Sequence, residues 1–147
     1  MADTIEQKQT EQPHQPDRHM DWFLQQLVQF ANDQAMSLGI TLNVGGVIVS
    51  GTLIGGKRYF EGFANDFGEG LGKSELVDMV KQHFQQHGKI YDRPADETSG
   101  FDPSFIHLEG AKFFSPGDQP IPSNRGMFWR GKISSIDGFI LGSLAAQ

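Results

Sequence analysis

From residue 38 to 54 the chain alternates apolar and polar positions with a period of two. In LGITLNVGGVIVSGTLI, Ile40, Leu42 and Val44 alternate with Thr41 and Asn43, and Val47, Val49 and Leu53 resume the pattern after Gly45 and Gly46. Two strands joined by a glycine pair that accepts positive φ form a β-hairpin. Gly51, in the middle of the second strand, marks either a sharp bend with close backbone approach or a weak spot in the strand.

Before this hairpin the period is 3.6. HMDWFLQQLVQFANDQAMS, from His19 to about Ser37, puts Phe23, Leu24, Leu27, Val28, Ala31 and Ala35 on one broad face, with Asp17 or Asp21 available as N-cap, and predicts an amphipathic helix. After the hairpin the helical period returns. KRYFEGFANDF spaces Tyr59, Phe60, Phe63 and Phe67 helically, and SELVDMVKQHFQQHG does the same with Leu76, Val77, Val80 and Phe84, with Gly88 placed to close the second segment. DRPADETSG follows as a polar connection, and SFIHLEG, AKFF and MFWRGKISSIDGFILGSL then return to strand character. The proline-rich SPGDQPIPSN separates the first of these from the last, and Ser135, Asp137 and Gly138 mark a reversal between the final two strands.

The order is helix, two strands, helical insert, about three strands. This predicts an α+β domain built on a bent five-stranded antiparallel sheet or a small Sm/SH3-like barrel, with an N-terminal helix and a helical insert between the second and third strands. The boundaries are a disordered Gln-rich tail over 1–17, a single domain over 18–147, an insert over about 57–88 and a flexible linker over about 89–102.

At 147 residues the chain can bury a core without metal or disulfides, and it has no cysteine, so thiol chemistry and thiolate metal sites are excluded. No secretory h-region and no long apolar run is present, which predicts a cytoplasmic protein outside the membrane. The net charge of −6 divides into −2 for residues 1–18, −2 for 19–56, −4 for 57–109 and +2 for 110–147. An acidic chain without a basic cluster is ill suited to nucleic acid.

Candidate chemistry is sparse. GEGLGKSE, residues 68–75, resembles a phosphate loop at Gly72, Lys73 and Ser74. Phe67 stands where the motif needs its first glycine, and no apolar strand leads in, so it reads as a glycine-rich break between two helical segments. His83 and His87 have the four-residue spacing of two ligands on one helix face, but no third ligand is evident. His107 alternates with Ile106 and Leu108 and is expected to face solvent beside Glu109. No nucleophile elbow occurs. The reading is therefore a protein with no catalytic, cofactor or metal site.

In the last strand region, Phe128, Arg130 and Lys132 share one face, while Met127, Trp129 and Ile133 share the other. If the second set is core, the first is a cationic, aromatic protein-binding surface. The competing reading buries Phe128 under a helix and pairs Arg130 with an acidic neighbour.

SLGITLNVGGVIVSGTLI, SFIHLEGAKFF and FWRGKISSIDGFILG, over roughly residues 36–144, resemble the gas vesicle accessory protein GvpU family in order and wording. The resemblance implies a cytoplasmic, non-enzymatic protein, at or near the gas vesicle surface, that acts on how vesicles gather. Its implied partners are vesicle shell proteins and further copies of itself as a homo-oligomer, with no nucleic acid and no membrane. The hairpin, FIHLEGA and the strand holding Arg130 and Gly131 are also similar to the Sm/Hfq-like small barrel, in fold alone. Two alternatives follow: an Sm-like RNA-binding module, which needs a basic surface, and a chaperone for the shell protein, which acts only before assembly.

Overall fold

A computed structural model describes residues 20–72, 75–92 and 102–144. The expected tail over 1–17 and most of the expected linker lie outside these residues. So do Lys73 and Ser74 of the glycine-rich break.

Helix α1 (Trp22–Gln34) starts where Asp21 Oδ1 accepts the Phe23 amide at 2.9 Å, so Asp21 is the cap. It ends at Ala35, which adopts a left-handed φ of 50°. Strands β1 (Leu38–Val44) and β2 (Val47–Ile54) form the expected hairpin, with Gly45 and Gly46 at φ 59° and 88°. The insert contains helix α2 (Gly56–Gly70), helix α3 (Leu76–Gln85) and a 3-10 turn (Gln86–Tyr91) that continues past Gly88 to a buried Tyr91. Gly68 to Gly70 form the last turn of α2, and Gly72, at φ 72°, breaks the chain before α3. Strands β3 (Phe105–Phe114), β4 (Met127–Lys132) and β5 (Gly138–Leu141) complete the sheet.

All five strands pair antiparallel in the order β4-β3-β2-β1-β5. Of the two forms expected, the open sheet is adopted, with β4 and β5 as its two edges. The last two strands are therefore not a hairpin. After the reversal, through a short 3-10 turn (Ile133–Ser135), the chain crosses to the far edge, where the Asp137 carboxylate accepts the Gly45 amide at 2.8 Å.

The β2–β3 and β3–β4 registers both shift beside glycines. Opposite Gly51 the β2–β3 register shifts, so that Ser50 pairs with Lys112 and Thr52 with Glu109, and Gly110 takes φ 62°. A Cβ on Gly51 would lie 2.9 Å from the Glu109 carbonyl oxygen and 3.0 Å from Ala111 Cα. One on Gly126 would collide with Gly110. Close backbone approach is thus the role of Gly51.

The sheet is covered on both faces. On one, Leu24, Val28 and Ala31 of α1 meet Ile40, Leu42, Val49, Leu53, Ile106, Leu108 and Ile133 in the main core, with Trp129 packed partly buried against it. On the other, the insert lays Tyr59, Phe60 and Tyr91 over His107. Toward β5 the polar residues of that second face pair internally: the Thr41 and Ser50 hydroxyls are 2.9 Å apart, Thr41 donates to the Gly142 carbonyl at 2.7 Å, and Ser50 Oγ accepts the Leu144 amide at 2.7 Å. These bonds fold the chain after β5 back across β1 and β2.

Candidate protein-binding surfaces

Strand β4 holds the three residues that the sequence singles out, and the insert divides them. Phe128 is half-buried against α2: its ring lies 6.3 Å from that of Tyr59 in an edge-on arrangement, and it occupies the space that a side chain at Gly62 would need. Arg130 is half-buried too. Its guanidinium carbon sits 3.7 Å from the centre of the Phe105 ring and 5.5 Å from that of Phe60, and Nη1 donates to His107 Nε2 at 2.8 Å. Lys132, at the end of the strand, is exposed. Of the opposite set, Ile133 is in the core and Trp129 against it, whereas Met127, beside the bulge at the strand's start, is 61% exposed.

His107 corrects the expectation of a solvent-facing residue. Its alternation with Ile106 and Leu108 is as read, but its face of β3 lies under the insert, and the side chain is fully buried. Burial, reinforced by the Arg130 charge, lowers its pKa from 6.5 to about 3. The ring is neutral, and because Arg130 can only donate, Nε2 is the acceptor and Nδ1 holds the proton. Nδ1 has no partner among the described residues. Burial likewise raises the Tyr59 pKa, against the Arg130 charge. Next along β3, Glu109 takes a 2.8 Å ion pair from Arg58 of α2, and Lys57 pairs with Asp92 at 2.8 Å, so the insert is also pinned at its rim. Such exposed pairs are largely screened by solvent, and the aromatic layer holds the insert in place.

The insert presents a second surface that sequence reading did not single out. Helix α3 buries no residue fully. Phe84 packs on Phe63 and Phe67, with centroids 5.2 and 5.0 Å apart, but Leu76 and Met79 are 61% and 67% exposed. With Val80, His83 and Phe67 they line an apolar groove of about 590 Å³. The signal was present, since Met79 follows Leu76 by three and precedes His83 by four, the period of one helix face. The His83 and His87 rings meet edge-on, with centroids 5.5 Å apart. Among the described residues, no group of three or more acidic or histidine side chains is placed to hold a metal ion. None of the described helices is long and apolar enough to cross a membrane.

The edge strands carry further apolar side chains. Ile140 and Leu141 of β5 are exposed, as are Met127 of β4 and Ile121 of the preceding loop, which bridges to Phe113 through mutual backbone bonds of 2.7 and 2.9 Å.

Residues 21–144 match the family described as gas vesicle protein GvpU-like. No curated protein and no solved structure matches the chain.

Proposed function

Because this chain belongs to the GvpU-like family of gas vesicle proteins, we propose that it is a non-enzymatic accessory protein that binds the vesicle shell along β4, associates with further copies of itself, and so gathers vesicles into clusters. The supporting observation is the separation of its adhesive surface. Large apolar side chains are exposed both at the open edges of the sheet and on the outer face of α3, and two such faces let one molecule hold two partners at once. On β4 a backbone edge unpaired among the described residues adjoins exposed Met127 and Lys132, with the Arg130 cation held beside them by Phe105 and His107. A strand, an apolar anchor and a fixed cation suit a protein surface with acidic groups, and the residues in contact are Phe128, Arg130 and Lys132 together with Met127.

The test is co-sedimentation with purified, urea-washed vesicles. Wild-type protein is expected to bind and cluster them. Met127→Lys with Lys132→Glu, both exposed positions, is expected to lose binding at least tenfold while keeping its circular dichroism. Wild-type binding in this double variant overturns the assignment of β4. Retention of the wild-type protein by single-stranded RNA but not by vesicles overturns the whole reading in favour of an Sm-like module. Activity only when the protein is present during assembly favours a shell-protein chaperone.

A further inference from the structure

We infer that the outer face of α3 binds the same face of a second copy of this chain, with the two helices antiparallel. The face is a stripe in which Leu76, Met79, Val80 and His83 recur at helical spacing, extended by Phe67 of α2 into one apolar groove. Its charge is polarised along the axis. Exposed Glu75 and Asp78 lie at the N-terminal end, whereas His83, His87 and Lys89 lie at the C-terminal end and in the turn beyond it. A parallel pair would set like ends together. An antiparallel pair brings the acidic end of each helix against the basic end of the other, with the helix dipoles opposed as well. The crossing point then falls near Met79 and Val80, which places Leu76 and Glu75 opposite the partner's His83. A self-complementary patch of this kind closes as a two-fold dimer.

The contact is small. The two helices meet along only about 15 Å, the length of ten helical residues, so the dimer is weak and matters where many copies are held close together. This surface supplies the self-association in the reading above, and it is tested on purified protein without vesicles, so that its failure is separate from a failure of shell binding.

The experiment is sedimentation equilibrium of the full chain up to about 1 mM. Wild type is expected to show a concentration-dependent monomer–dimer equilibrium. Met79→Lys, at an exposed position, is expected to weaken it at least tenfold with an unchanged circular dichroism spectrum. His83→Glu should weaken self-association because it sets a carboxylate opposite Glu75, and Glu75→Lys should weaken it because it removes the carboxylate that faces His83. Mixed one to one they should form a heterodimer, because the lysine introduced in one chain then meets the glutamate introduced in the other, and the unchanged Glu75 meets the unchanged His83. A wild-type protein that stays monomeric, a Met79→Lys protein that associates like wild type, or a mixture no more associated than its components each overturns the inference. The second outcome places self-association on the sheet edges, and the third rules out the antiparallel arrangement.

Discussion

His107 shows at the scale of one residue how the insert changes the chemistry of the sheet. A neutral imidazole is held against a guanidinium, under Tyr59, Phe60 and Tyr91, with Glu109 and Arg58 paired at the rim. Because its folded pKa is about 3 against 6.5 unfolded, the unfolded chain takes up a proton as pH falls below 6.5 and the native protein does not. Stability is therefore full above about pH 6.5 and falls by roughly 1.4 kcal/mol per unit below it, until the folded group also titrates. Urea denaturation should give about 2 kcal/mol less stability at pH 5 than at pH 7.5, and His107→Gln, which stays neutral and keeps an acceptor for Arg130, should remove most of that difference. An unchanged difference would assign the pH dependence to carboxylates elsewhere. Arg130 is bound into the same cluster, so reversing its charge would bury a carboxylate against aromatic rings; Lys132 and Met127 are the positions on β4 that report binding without unfolding. Strand alternation in FIHLEG was legible and correctly paired Ile106 with Leu108 in the core. What hid His107 is that the sheet's second face is covered by α2, far earlier in the chain, which no local pattern reports.

Among the elements, α2 is the piece that decides how β4 is presented. Its helical spacing of Tyr59, Phe60 and Phe63 was readable from sequence, as were the hairpin turn and the N-terminal helix, because each depends on a period or a positive φ written locally, whereas Gly51 left a close approach and a weak spot equally open. The seating of α2 was not readable, because it depends on Gly62 leaving room for the Phe128 ring, a fit between residues 66 positions apart. Replacing Gly62 by alanine gains up to about 1 kcal/mol of helix propensity, yet forces Phe128 aside in a packed layer, which costs about 1–3 kcal/mol. Gly62→Ala should thus be net destabilising by up to about 2 kcal/mol, and Phe128→Leu should cost less in that background than in wild type, because it vacates the contested space. A double-mutant cycle in thermal or urea unfolding measures this coupling. Strict additivity would mean that Phe128 turns away without cost and that α2 is not seated on β4 as described. The exposed stripe of α3 follows from the same seating: Phe84 is consumed in packing on Phe63 and Phe67, which leaves Leu76 and Met79, farther round the helix, largely exposed.

At the scale of the whole molecule, the two surfaces proposed to bind lie on different elements: one on the β4 edge, the other on α3. Neither has to be strong. A protein bound many times to one vesicle presents many α3 faces at high local concentration, and a second vesicle decorated likewise is joined by the sum of weak pairs. This arrangement makes clustering depend on both surfaces in the same molecule, which leads to a test by titration. Met79→Lys should still coat vesicles but leave them dispersed. Met127→Lys with Lys132→Glu, added in excess to vesicles already coated with wild type, should disperse clusters, because it occupies α3 faces without bringing a second vesicle. Light scattering during the titration reads this directly. If the excess variant leaves clusters intact or enlarges them, the α3 face is not the bridge between vesicles, and clustering must pass through the sheet edges instead.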